Sequence, residues 1–221
     1  VEVTSTENNS AVRLGVGAWN YTANVSATQN FTAGANISYV VISINTSTSN
    51  YLNLTINGTE SNKTYTYPAA SNATGWLNAS SFIGAAPTFT MYRYDNTSVN
   101  NESMVLPNGT HWYVYNTSGN QNYSSASKKY YVLINKAAPG LTLTIDGSSA
   151  ASQGRTYPNT TRFTLTESNS GDSGCSYDIK ENGTAQGSRD YTKALAARAY
   201  NITAYTDGCE NYSAMQAEIV L

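Results

Sequence analysis

The chain has 221 residues and a net charge of −2; 40% of its residues are hydrophobic and 12% charged, about half the usual charged share. That is enough apolar material for a core, in one large or two small domains. It excludes a strongly acidic halophile surface and, for want of any Lys or Arg cluster, a nucleic-acid surface. Five Pro argue against a disordered stalk, and no apolar run reaches the roughly 18 residues of a membrane span. A surface so poor in charge needs another source of hydration. Eighteen Tyr and abundant Thr and Val favour strands over helices.

The chain opens "VEVTSTENNS", without the pattern of a signal peptide, so in an exported protein it reads as the mature form. Two apolar extended runs follow, "AVRLGVGAW" over Ala11–Trp19 and "ISYVVISI" over Ile37–Ile44. The second is apolar on both parities, which predicts a strand covered on both faces. Two readings stand. The runs are ordinary strands completing a sandwich, or residues 1–18 are an extended segment donated to the sheet of the next subunit. In the second reading Val1, Val3, Val12, Leu14 and Val16 are the plugs that fill pockets on the acceptor. Such a contact is head-to-tail, with copies of the chain itself as partners, and generates a filament rather than a closed dimer.

"NYTANVSATQNFTAGANIS", from Asn20 to Ser38, holds four N-x-S/T triplets, the acceptor motif for N-linked sugar. The whole chain has 26 Asn and 54 Ser plus Thr, so chance gives about 6 such triplets. It has 20, at Asn8, Asn20, Asn24, Asn30, Asn36, Asn45, Asn53, Asn57, Asn62, Asn72, Asn78, Asn96, Asn101, Asn108, Asn116, Asn122, Asn159, Asn182, Asn201 and Asn211, none with Pro in the middle. The excess predicts a densely glycosylated surface, with covalent N-linked glycans in place of any cofactor. Only Asn62 has an acidic residue two places before it, so the acid-extended bacterial motif is not what the chain carries. Three acceptors, Asn57, Asn108 and Asn182, lie in N-G-T turns, where a tight turn hinders the transferase.

From Tyr51 onward the chain repeats itself. "YLNLTINGT" from Tyr51 resembles "GLTLTIDGS" from Gly140, "KTYTYP" resembles "GRTYP", "MYRYDNTS" from Met91 resembles "SYDIKENGT" from Ser176, and "TSGNQNYSSAS" from Thr117 resembles "TDGCENYSAMQ" from Thr206. Order and spacing are kept, so two copies of one module are expected. Each reads as short alternating strands broken by Gly, Asn and Ser turns. If Asn53 faces solvent, Leu52, Leu54 and Ile56 face the core, and the repeat puts Leu141, Leu143 and Ile145 there in the second copy. Asn201 outside leaves Tyr200, Ile202 and Ala204 inside, matching His111, Tyr113 and Tyr115. About seven short strands per copy fit an immunoglobulin-like β-sandwich. The expected architecture is all-β, with an extended N-terminal segment at 1–18, a heavily glycosylated first sandwich at 19–136 and a second at 137–221.

"GNQNYSSASKKYYVLINKAAP", from Gly119 to Pro139, resembles the end of Ig-like repeats in archaeal and bacterial surface proteins, with a Gly-polar-x-Asn-Tyr turn, a last strand and a Lys-Ala-x-Pro joint. The resemblance implies a sandwich fold, an extracellular location and no enzyme activity; with the acceptor pattern it points to an archaeal source.

The two cysteines, Cys175 and Cys209, are an even count in a secreted chain, which predicts a disulfide. At the aligned places the first copy has Thr90 and Asn120. Chemistry is otherwise thin. His111 is the only histidine and sits on an inward strand position, and the cysteines lack metal-ligand spacing. "SNSGDSG" around Asp172 lacks the spacing of a calcium loop. The aromatic strands "MYRYDN" and "HWYVYN" offer a sugar-stacking face, or are core. The sequence therefore predicts a structural subunit of an extracellular glycosylated filament or pilus. The alternatives are a non-polymerising module of an adhesin or surface-layer glycoprotein, and a secreted sugar-binding domain.

Overall fold

The computed structural model describes residues 11–44, 51–78, 82, 85–171 and 173–221. Val1, Val3, Asn8, Asn45 and Asp172, all singled out above, lie outside the described residues.

Strands are the regular structure throughout the described residues. Near the N-terminus β1 (Gly17–Val25) pairs antiparallel with β2 (Gly34–Ile42) in a sheet of their own. The first copy then runs β3 (Leu52–Ile56), β4 (Lys63–Thr66), β5 (Ala70–Leu77), β6 (Thr90–Arg93), β7 (Ser98–Val99), β8 (Glu102–Val105), β9 (Gly109–Thr117) and β10 (Ala126–Asn135). Its sheets have the orders β3-β5-β8 and β4-β10-β9-β6-β7, with β4 parallel to β10. The second copy runs β11 (Leu141–Ile145), β12 (Thr160–Glu167), β13 (Asp178–Glu181), β14 (Thr184–Ala185), β15 (Asp190–Ala194), β16 (Asn201–Thr206) and β17 (Met215–Val220). Its sheets are β11-β12-β15 and β14-β13-β16-β17.

The repeat is visible strand by strand. β3 and β11 are 89 residues apart, β5 and β12 90. Both copies have a cis X-Pro bond at the matching place, Tyr67–Pro68 and Tyr157–Pro158. One expected offset shifts. The buried Met91 faces Tyr115, and the buried Ile179 faces Ala204, so β6 and β13 lie 88 apart, not 85. Tyr92 and Tyr177 match as letters at the shorter spacing, but the inward side chain sets the true register. The counterpart of Cys175 thereby moves from Thr90 to Pro87. The parallel β4–β10 ladder shrinks in the second copy to one bridge, Ser152 with Val220.

Contacts group the chain into two compact units. One comprises Val1–Thr55, Thr74–Asn101 and Tyr113–Tyr130; the other comprises Ile56–Ala73, Glu102–Trp112 and Tyr131–Leu221. In the first, Leu52, Leu54, Met91, Tyr113 and Tyr123 are buried. The Phe82 ring is in edge contact with Tyr51 and Tyr123, and Phe89 leans on Tyr115. In the second, Leu143, Ile145, Phe163 and Leu165 of β11 and β12 meet Ile179, Ile202, Ala204 and Ile219 of the facing sheet. Each Leu, Ile and Phe among them contributes about 1.5–3 kcal/mol on burial. This is a two-layer β-sandwich of the immunoglobulin-like kind.

The predicted phase of the strands is met at Leu52, Leu54, Ile56, Leu143, Ile145, Tyr200, Ile202, Ala204, His111 and Tyr113, all buried; Leu141 and Tyr115 are half-buried. Asn53 is only half-exposed, and Thr55 on the same parity is buried. Thr55 Oγ1 donates to the Thr74 carbonyl, which satisfies its hydroxyl inside. The prediction that residues 37–44 are covered on both faces is not met among the described residues: there β2 pairs with β1 alone, and Tyr39 and Val41 are each 73% exposed.

Candidate functional site: acceptor asparagines and the N-terminal ribbon

Of the 18 acceptor asparagines that are described, 13 are exposed: Asn20, Asn24, Asn30, Asn36, Asn57, Asn62, Asn72, Asn78, Asn96, Asn101, Asn159, Asn182 and Asn201. Asn53, Asn108, Asn116 and Asn122 are half-buried, and Asn211 is buried at 8%. Exposure alone does not make an acceptor, because sugar is carried on Nδ2. Asn211 Nδ2 donates to the Gly171 carbonyl at 3.3 Å, while its Oδ1 accepts from the Asn108 amide at 2.9 Å. Asn108 Nδ2 in turn donates to the Ile134 carbonyl at 2.7 Å. Asn57 Nδ2 donates to the Tyr65 hydroxyl at 2.6 Å and to the Ala70 carbonyl. These three side chains hold the fold.

Three turns share one device. Asn57, Asp146 and Asn182 have φ of 47°, 49° and 44°, each followed by a Gly also at positive φ. Asn and Asp tolerate that left-handed conformation, and Gly adopts it freely, as a tight hairpin turn requires. In each, the side-chain oxygen accepts a backbone N–H from the neighbouring strand, that of Asn72, Arg162 and Asn201, at 2.7–2.8 Å. The same N–H, above all, holds the Asp146 carboxyl below its usual range, with Arg155 adding to it.

Residues 11–44 form the N-terminal ribbon. Cross-strand partners share a face. Trp19, Tyr21, Ala23 and Val25 therefore lie on one face with Val40, Ile42, Ser38 and Asn36. Ala18, Asn20, Thr22 and Asn24 lie on the other with Val41, Tyr39, Ile37 and Ala35. Val25, Phe31, Ile37, Tyr39, Val40 and Val41 are all exposed. Of the donor candidates, Val12 is exposed, and Leu14 and Val16 are half-buried. The Val16 amide donates to Asn122 Oδ1 at 3.0 Å, and Gln121 Nε2 donates to the Val16 carbonyl. Trp19 Nε1 donates to the Gly15 carbonyl.

Cys175 and Cys209 are joined in a disulfide. Next to Cys209, Gly208 has φ 81° and its turn brings the Cys209 amide onto the Tyr212 carbonyl; Gly119 and Asn120 do the same with Tyr123 in the first copy. His111 is buried, and its Nε2–H donates to the Pro107 carbonyl at 2.8 Å, a structural tie. Of the rings of "MYRYDN" and "HWYVYN", Tyr92, Tyr94, Trp112 and Tyr115 are half-buried and Tyr113 is buried. Sequence reasoning missed a buried carboxylate, Glu181, which accepts from the Tyr191 hydroxyl at 2.9 Å and from Lys193 Nζ at 2.7 Å. Burial, then the carboxylate, pushes the Tyr191 phenol up. No motif marks this trio, because it is assembled across two sheets. Among the described residues no three His, Cys, Asp or Glu gather as a metal site.

The chain matches no protein-family model and no curated protein. Among solved structures it is similar to the fibronectin(III)-like modules of Clostridium thermocellum CbhA. The identity is 11%, over 76% of this chain and 92% of that one, with a TM-score of 0.32. It is also similar to the four N-terminal Ig domains of Dscam1 isoform 9.44. There the identity is 9%, over 90% of this chain and 53% of that one, with a TM-score of 0.31. A likeness this weak carries nothing about activity.

Proposed function

We propose that this chain is a structural subunit of an extracellular, densely N-glycosylated filament, assembled head-to-tail by β-strand donation. The observation that carries the reading is the N-terminal ribbon. Among the described residues its two strands pair only with each other, and they expose apolar side chains on both faces. An isolated two-stranded ribbon is marginal in water, and contiguous exposed apolar surface marks a contact site. Residues 11–44 hold a single charged side chain, Arg13, so nothing on the ribbon repels a second copy. The partner is another subunit, whose sheet edge takes the segment at residues 1–18. The exposed acceptor asparagines supply a sugar coat that blocks unwanted lateral pairing of strands. The disulfide fits an oxidising, extracellular compartment. Among the described residues no helix is long and apolar enough to cross a membrane.

A second reading is a non-polymerising Ig-like module of an adhesin or surface-layer glycoprotein. The tie of Val16 to Asn122 and Gln121 favours it, since it fastens the ribbon's root to its own chain. Electron microscopy of material from the native source tests the choice. Uniform thin fibres are expected, and deletion of residues 1–18 is expected to leave folded subunits that no longer polymerise. Discrete particles, or filaments unchanged by the deletion, overturn strand donation.

A further inference from the structure

The described residues include five exposed aromatic side chains, Phe31, Tyr39, Trp76, Tyr131 and Tyr157. Aromatic surface exposed to water is unfavourable, and each of these five lies beside an acceptor asparagine. Phe31 follows Asn30, Trp76 lies two residues before Asn78, and Tyr157 two before Asn159. The other two pairs are fixed by sheet geometry. Tyr39 is the direct cross-strand partner of Asn20, on the ribbon face that also carries Asn24. Directly opposed side chains in an antiparallel pair have Cβ atoms about 4.5–5.5 Å apart. Tyr131 precedes Val132, which is in register with Lys63, and the Tyr131 amide donates to Asn62 Oδ1 at 2.9 Å. That bond fixes the Asn62 amide by its oxygen and leaves its nitrogen as the atom to be modified. By contrast, the acceptors whose Nδ2 serves the fold, Asn57, Asn108 and Asn211, adjoin no exposed ring.

We infer that the rings of Tyr39 and Tyr131 are platforms for the first sugars carried by Asn20 and Asn62. The inference rests on the glycosylated reading above. The modification joins Asn Nδ2 to the anomeric carbon of an oligosaccharide supplied by a lipid-linked phosphate donor. The N–C bond forms, the bond from the anomeric carbon to the phosphate oxygen breaks, Nδ2 gives up a proton and the lipid phosphate leaves with the electron pair. One face of a pyranose ring is a plane of C–H groups with partial positive charge. It is complementary to the negative face of an aromatic ring, and stacking the two removes apolar surface of both from water. The ring then holds the glycan's root against the strand, and the glycan covers the ring.

The test uses the full chain made in a host that attaches N-linked sugar. Glycopeptide mass spectrometry reads occupancy, and nitration by tetranitromethane reads the accessibility of each Tyr. The variants Thr22→Ala and Thr64→Ala silence the two acceptor motifs while keeping both asparagines and the Asn62 bond. Asn20 and Asn62 are expected to be occupied, and Tyr39 and Tyr131 to nitrate several-fold faster in the matching variant. Equal nitration rates with and without the sugar overturn the inference. So does a chain glycosylated elsewhere but bare at Asn20 and Asn62, which leaves the glycosylated reading standing. A chain with no sugar at any site overturns both.

Discussion

At the scale of single residues, asparagine does two incompatible jobs in this chain. Where its amide closes a turn or binds a carbonyl, Nδ2 is spent on the fold; where it points outward, Nδ2 is open to sugar. Asn57 and Asn211 belong to the first group, so their glycopeptides are expected to be bare in material where Asn20 and Asn24 are modified; full occupancy at Asn211 would contradict the bond to Gly171. Asp146 shows what the turn device is worth. Asp146→Ala loses the bond to the Arg162 amide and places a Cβ-bearing residue that favours neither turn nor αL at φ 49°. The expected cost is about 1–3 kcal/mol in denaturant unfolding. Asp146→Asn is expected to cost much less, because Asn57 and Asn182 already do this job. The carboxylate adds an acid sensitivity. Its folded pKa lies below the ordinary 3.8, so its stabilisation is present above that value and is lost as pH falls through the folded pKa. Urea midpoints of Asp146→Asn should therefore fall less steeply below about pH 4 than those of the parent. Much at this scale was legible in the sequence: alternation with Asn53 placed Leu52, Leu54 and Ile56 inside. The burial of Asn211 was not, because its partners Gly171 and Asn108 are distant in the chain and only the fold brings them to it.

At the scale of elements, the same Gly turn ends both copies. Gly119 and Gly208 have φ of 82° and 81°, and a Cβ built on either comes within 2.4 and 2.6 Å of the Tyr123 and Tyr212 carbonyl oxygens. Nothing flexible stands there to move, since the contact is backbone. Gly208→Ala is expected to lower stability by about 2 kcal/mol or more, with Gly174→Ala, which meets no neighbour, as the tolerated control. The disulfide is anchored in this turn. Its cysteines are 34 residues apart, so Cys175→Ala with Cys209→Ala is expected to cost roughly 3–4 kcal/mol, read from the shift of the unfolding midpoint under non-reducing conditions. The turn and the cysteine pair were readable from spacing and composition. The 88-residue register of β6 and β13 was not, because surface letters repeat more faithfully here than the buried Met91 and Ile179 that decide it. The Glu181–Tyr191–Lys193 trio was hidden for a related reason: its members come from β13 and β15, which lie in different sheets.

At the scale of the molecule, the acceptor pattern sorts the two faces of the N-terminal ribbon. Asn20 and Asn24 stand on the face with Val41 and Tyr39, and in the proposed glycosylated subunit a glycan there would keep that face in solvent. The opposite face carries Trp19, Tyr21, Val40 and Ile42, with its one acceptor, Asn36, out beside Ala23. If the ribbon is the contact between subunits, only this second face can be covered by protein. The two neighbours Val40 and Val41 then make a matched test, one residue apart and on opposite faces. Val40→Lys puts a charge into the contact, where desolvation has no partner to offset it, and is expected to abolish filaments seen by electron microscopy and sedimentation. Val41→Lys adds the same charge on the face of the Asn20 and Asn24 acceptors, where it stays hydrated, and is expected to leave filaments intact. Both variants should keep the parent's unfolding midpoint within a few degrees, since neither side chain belongs to a sandwich core. Loss of filaments from both would mean that the ribbon tolerates no charge at all and that sugar does not choose its face. Loss from neither would mean that the ribbon is not the contact, and the chain would then be read as a self-contained surface module.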